Sequence, residues 1–175
     1  LMLRTAERYF DAALAAESLR VLRRQQGAVE RSLLEARDRF KLGDAPVTDW
    51  APVVRDVALD LAALIADKAL DFEIATEPAP VRAHEWALRE LTRNLLHNAI
   101  RHAPRGTPLT LRLVHDDGQA LLSVVDHGPG IDDELRRRLF QPFSAGSTSP
   151  GGSGLGLAIC HEIVRSLHGS IALVN

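Results

Sequence analysis

One cysteine, Cys160, stands in a chain of 175 residues, which excludes a disulfide framework and a cysteine-rich zinc site. A small buried residue on a helix is the expected role for it. No apolar run approaches the about 20 residues that a membrane-spanning helix needs, and the first residues lack the charged start and apolar core of a signal peptide. Nor is there charge of one sign: 21 Lys and Arg against 23 Asp and Glu leave a net charge of −2, with both signs scattered. Such a surface does not advertise binding to nucleic acid or to anionic lipid. The seven histidines form no metal-ligating cluster in the sequence. What is abundant is hydrophobic material, 46% of the residues, enough for a real core.

That material is distributed in two ways. From Ala12 to Phe40, the positions Ala12, Ala15, Leu19, Leu22, Gln26, Val29, Leu33, Ala36 and Phe40 follow steps of three and four. This is a heptad seam, narrow enough to want a partner helix. Leu42-Gly43-Asp44-Ala45-Pro46 carries the glycine and proline that end a helix, so a boundary is expected between a helical segment, 1–44, and a second domain, 45–175. In that domain Thr48 or Asp49 can cap a helix running to about Leu70, with Val53, Val57, Leu61, Leu64 and Ile65 inward. A strand is expected at Phe72–Ala75, and a second helix from His84 to His102 with Trp86, Leu88, Leu91, Leu95, Leu96, Ala99 and Ile100 buried. Leu109, Leu111 and Leu113 alternate with Thr110 and Arg112, and Asp117-Gly118 is a hairpin turn into a strand at 120–126. A short helix at 132–139, a Gly/Ser/Thr-rich loop at 144–153, a helix at 155–167 and a strand at 170–174 complete the reading. Helices alternating with a hairpin predict an α/β two-layer sandwich, a mixed sheet covered by helices.

Three patterns carry chemistry. Glu90, Asn94 and Asn98 stand four apart, so their side chains share one helix face while leucines fill the other. Asparagine is a mediocre helix former, and an amide oxygen suits a hard cation such as Mg²⁺; capping of neighbouring backbone groups is the alternative. Asp126-His127-Gly128-Pro129-Gly130 ends an apolar strand, where a carboxylate can meet a ligand and glycine permits close approach, or where the chain merely turns. Gly151-Gly152-Ser153-Gly154-Leu155-Gly156 leads into a helix and offers backbone N–H groups to phosphates. It lacks the Lys-Ser/Thr of a P-loop and follows a loop instead of a strand, which argues against a dinucleotide fold.

Together these segments resemble the ATP-binding catalytic domain of sensor histidine kinases. Glu90 to His102 is similar to that family's N-box, Asp126 to Gly130 to its first glycine box, Leu139-Phe140-Gln141-Pro142-Phe143 to its F-box, and Gly152 to Leu157 to its second glycine box. The resemblance implies the Bergerat-type ATP-binding fold shared with gyrase and the mismatch-repair ATPases, with ATP and Mg²⁺ as cofactors. It implies that Asn98 coordinates Mg²⁺, that Asn94 lies one turn away beside the phosphates, and that Arg101 and His102 stand near them. Asp126 is then the acceptor for the adenine amino group. Gly128 and Gly130 shape the purine pocket, and Gly152, Gly154, Leu155 and Gly156 serve the lid and the phosphates. Ile131, Phe140 and Phe143 are pocket or lid support, or plain core.

The resemblance further implies γ-phosphoryl transfer to a histidine on the protein's own phosphoacceptor domain and relay to the receiver domain of a response regulator. A homodimer through the N-terminal helices and a place as the cytoplasmic domain of an inner-membrane sensor are implied as well. No histidine precedes His84, so the acceptor is expected upstream of Leu1. Two departures stand out. No basic residue occurs from Ser144 to Gly156, where many relatives have a phosphate-reaching arginine, a task left to Arg101 or Arg136–Arg138. The family also adds a strand beyond the one expected at 170–174. Rival readings are a serine/threonine anti-sigma-type kinase of the same fold, against which the heptad helix argues, and a non-catalytic nucleotide-binding scaffold module.

Overall fold

The computed structural model describes residues 45–131 and 156–174. The heptad segment, the expected helix at 132–139, and Phe140, Phe143, Gly152, Gly154 and Leu155 lie outside the described residues.

The chain enters through a short strand, β1 (Val47–Asp49), directly followed by α1 (Trp50–Asp60). Asp49 caps this helix as expected: its Oδ1 accepts from the Ala51 amide at 3.2 Å, and also from the Ala79 amide at 2.9 Å. The single helix expected to reach Leu70 is in fact two, because at Leu61 (φ −99°, ψ 2°) the chain leaves helical geometry before α2 (Ala62–Asp67). The break keeps Leu61 and Ile65 buried but turns Leu64 outward to 40% exposure, correcting its expected core role. α2 ends in a Schellman motif, with Ala69 amide to Ala66 carbonyl and Leu70 amide to Ile65 carbonyl, and with Ala69 at φ 49° where glycine is usual.

β2 (Asp71–Thr76) and β3 (Pro80–Arg82) follow, then the long α3 (Glu85–His102). Pro104 explains where α3 stops. A residue before proline is driven out of the helical region, and Ala103 accordingly sits at φ −59°, ψ 132°. β4 (Pro108–Asp116) and β5 (Gln119–Val125) form the expected hairpin, with Asp117 and Gly118 both at positive φ in a two-residue turn. α4 (Gly156–Ser166) closes the order, ending in a second Schellman motif at His168 and Gly169.

The main sheet runs β2-β4-β5, with β2 parallel to β4 (Phe72 beside Leu109) and β4 antiparallel to β5 (Leu113 beside Leu122). It is mixed, as the alternation predicts. α3 lies across β4 and β5, flanked by α1 and α4. Between the layers, Leu88, Leu96, Leu109, Leu111, Leu113 and Ile163 are fully buried, each contributing about 2 kcal/mol by removal from water. Trp86 is 39% exposed, outside the core expected for it. It follows the first helical residue and stacks on His84 at 6.3 Å.

The β1–β3 pair, Val47 to Arg82 and Asp49 to Pro80, was not anticipated. Strands of three residues show too little alternation to read, and their pairing partner is remote. At the other extreme, the strand expected at 170–174 is not formed. Ile171 and Leu173 are half-buried and Ala172 and Val174 exposed, but alternation supplies no backbone partner, and the segment joins no ladder among the described residues.

Candidate nucleotide site

α3 organises the site because one of its faces is sealed into the core and the other is polar. Thr92 is the only buried polar residue among those described. Its hydroxyl accepts from the Trp50 indole at 3.0 Å and donates to the Leu88 carbonyl at 2.7 Å, which fixes the rotation of α3 against α1. Cys160 seals the other flank. Fully buried, it lies 3.8 Å from the Leu91 carbonyl, and desolvation together with the Glu90 carboxylate pushes its thiol pKa up to about 12. It is structural, as expected.

With rotation fixed, Glu90, Asn94 and Asn98 form a half-buried stripe. The Asn94 amide nitrogen donates to the Glu90 carbonyl at 2.9 Å and to its carboxylate at 2.8 Å. Backbone bonding, the alternative raised for these amides, therefore holds for the nitrogen of Asn94. Its oxygen is thereby turned away, toward α4. Gly156 begins that helix so close by that an added Cβ would stand 3.1 Å from Asn94 Oδ1. The Asn98 side chain makes no hydrogen bond among the described residues, and an amide oxygen is of the type that can join a hard cation's shell with phosphate and water. No group of three or more His, Cys, Asp or Glu able to hold a metal occurs among the described residues.

The second wall is the turn after β5. Asp126 Oδ1 accepts from the Gly128 amide at 2.7 Å, and His127 Nδ1 lies 3.1 Å from the Pro108 carbonyl, tying the turn to the start of β4. Gly128 sits where a Cβ would come within 2.7 Å of Asp126 Oδ1 and 3.2 Å of the His102 carbonyl. Gly130 has φ 72°, a conformation that favours glycine. The first glycine box thus rests on the end of α3 through a backbone approach that a side chain would block. Ile131 is half-buried at its exit.

Arg101 and His102 lie in the last turn of α3. His102 faces solvent, yet partial desolvation, then Arg101 and Lys68, lower its pKa below 6.5, with Asp126 opposing them. The shift favours the neutral imidazole beside the carboxylate. The structure therefore places Asn94 at mid-length of α3 beside Gly156, Asn98, Arg101 and His102 toward the C-terminal end of the same helix, and Gly128 of the Asp126–Gly130 turn against the His102 carbonyl. The signals missed in the sequence were the hydrogen bonds of Glu90 to Asn94 and of His127 to the Pro108 carbonyl, both inside recognised motifs.

The family described as histidine kinase-, DNA gyrase B-, and HSP90-like ATPase matches residues 83–175. The chain belongs to this family. Its ATP-binding domain is of the sensor histidine kinase type. Sensor protein kinase PmrB of Pseudomonas aeruginosa is 34% identical over 75% of this chain and 29% of its own length. The adaptive-response sensory kinase SasA of Rippkaea orientalis is 27% identical over 91% of this chain and 49% of its own. The chain thus spans about half the length or less of these relatives. Among solved structures, the mycobacterial sensor histidine kinase MprB superposes with a TM-score of 0.63 at 30% identity, covering 72% of this chain and 82% of that one. Membership accounts for the mixed sheet under its helices. No helix among the described residues is long and apolar enough to cross a membrane.

Proposed function

We propose that this histidine-kinase-type domain positions Mg·ATP for γ-phosphoryl transfer to a histidine of a phosphoacceptor domain, for relay to a response-regulator receiver. The observation that carries the reading is that one helix, α3, presents Asn94 and Asn98 on its polar face and seats the Asp126–Gly130 turn against its C-terminal His102 carbonyl, its rotation held by the buried Trp50–Thr92–Leu88 hydrogen-bond chain. Phosphoryl transfer asks the protein mainly for positioning and charge neutralisation. Asn98 would hold a magnesium ion through its amide oxygen, and such an ion would supply the charge neutralisation. Asp126 can only accept hydrogen bonds, so it selects the amino group of adenine over the oxo group of guanine. Gly128 leaves space for the base edge to reach that carboxylate. Arg101 contributes a permanent positive charge at the phosphate end.

Asn94 stands where hydrolytic members of the superfamily commonly carry a glutamate. An amide cannot take a proton from water, and this one is already engaged by Glu90. Slow ATP hydrolysis without an acceptor follows, as a kinase that must preserve its γ-phosphate requires. The proposal extends to a homodimer through the heptad segment, a domain boundary near residue 44, and a cytoplasmic position in a membrane-anchored sensor; the names of the relatives and the heptad pattern support these.

Calorimetric titration of Mg·ATP into the wild type, Asp126→Asn and Asn98→Ala tests the core of the reading. Binding by the wild type that weakens in both folded variants is expected. Equal binding by all three would remove these residues from the site, and a folded wild type that binds no nucleotide would favour the scaffold reading.

A further inference from the structure

The C-terminal end of α3 presents carbonyls that the helix itself leaves without partners. Two of them, Arg101 and Ala103, accept from the same donor: the Lys68 ammonium, at 2.6 and 2.9 Å. Between them, the His102 carbonyl faces Gly128 of the first glycine box. Lys68 is itself fixed. It is the C-cap of α2, and the Schellman motif through Ala69 and Leu70 sets its backbone. Its carbonyl accepts from the Gly106 amide at 3.0 Å, while the Arg105 guanidinium donates to the neighbouring Asp67 carbonyl. The turn leaving α3 is thus stitched to the end of α2 on both sides of the ammonium. No carboxylate pairs with Lys68 among the described residues, so its charge is directed at main chain, where a cation also complements the helix dipole.

We propose that Lys68 is a positioning residue of the nucleotide site, holding the Arg101–Ala103 backbone so that the His102 carbonyl forms a fixed seat for the Asp126–Gly130 turn. Lys68 touches neither base nor phosphate in this assignment and acts through the seat. Without the ammonium, the two carbonyls are left to water and the seat loses its register. The Asp126 carboxylate, which sets its own turn through Gly128, then meets the adenine edge less often in the right place. The inference rests on the nucleotide-binding reading of Asp126.

The test uses the full chain with Lys68→Met and Lys68→Arg, read by Mg·ATP calorimetry, by the NMR titration of His102 and by far-UV circular dichroism. Lys68→Met is expected to keep its secondary structure and weaken Mg·ATP about tenfold, the scale on which loss of an outer supporting partner is felt. Lys68→Arg, which keeps charge and donors, is expected to recover most of that affinity. Of the charges acting on His102, Arg101 and Lys68 lower its pKa and Asp126 raises it. Loss of Lys68 should therefore move the His102 titration upward; since relief of burial would move it the same way, the shift counts for the inference only where Lys68→Arg reverses it and circular dichroism and thermal melting show both variants folded as the wild type. Should Lys68→Met unfold, Lys68→Gln, an uncharged donor, takes its place. Wild-type affinity in a folded Lys68→Met, or no recovery in Lys68→Arg, overturns the inference. A folded wild type that fails to bind Mg·ATP instead sinks the nucleotide reading on which it depends.

Discussion

At its N-terminal end α3 is joined to α1 by charged side chains on the surface. Arg89 reaches Asp56 at 3.4 Å, Asp60 at 3.2 Å and Glu85 at 3.9 Å, and Arg93 lies 3.7 Å from Asp60. The first turn has no side-chain cap, since His84 occupies that position and its side chain accepts from none of the first-turn amides. At the C-terminal end the same helix is held through its main chain, by Lys68 and by the close approach of Gly128. Exposed ion pairs between long side chains are soft and screened by salt, whereas one donor on the two carbonyls either side of His102 fixes backbone. The rigid fastening is at the end that carries the site. Precision has been placed where the nucleotide needs it, and the other end is merely kept from fraying.

Substitutions at the two ends should separate sharply. Gly128→Ala should have the largest effect on function. Its Cβ would displace the Asp126 carboxylate and press on the His102 carbonyl, so Mg·ATP affinity measured by calorimetry should fall on the order of a hundredfold, the scale of an ångström-sized misplacement. An unchanged affinity would sink the packing argument. Thr92→Val, midway along α3, strips the Trp50 indole of its acceptor; urea denaturation should show a loss of about 1–3 kcal/mol, the cost of a buried donor left unsatisfied. Smaller and opposite in sign is Ala69→Gly, beside the Lys68 clasp. Removing a side chain from a left-handed position should raise stability by about 1 kcal/mol, visible as a higher melting temperature. Arg89→Ala, at the soft end, should change stability by less than about 0.5 kcal/mol, and the change should shrink in high salt. If Arg89→Ala proved as damaging as Thr92→Val, the contrast between the two ends would be wrong.

Much of this was legible in advance because it is local. The 3.6-residue rhythm of α3, the alternation in β4 and the Asp117-Gly118 turn each depend on neighbours within a few positions. The site residues could be read because Asn94, Asn98 and Asp126 sit in spaced motifs. The illegible parts depend on remote partners. Lys68 looks like any surface lysine until α2 and the end of α3 are brought together, and β1 and β3 become strands only by finding each other. Leu61 breaks a helix inside an unbroken apolar pattern, with neither glycine nor proline to announce it. At 170–174 the error runs the other way, since a convincing alternation has no ladder to join. The heptad segment, the F-box and most of the second glycine box rest on their sequence alone.

Cys160 offers one more use. It is the only sulfhydryl in the chain, fully buried in the seam between α3 and α4, with its thiol pushed up to about 12. A thiol reagent in solution can meet it only after those two helices part, and the thiolate that reacts is scarce even then. The rate of its alkylation is therefore a built-in clock for separation of the helix that begins at Gly156 from the helix that carries Asn94, and a nucleotide bridging the two should slow that clock without any label being introduced.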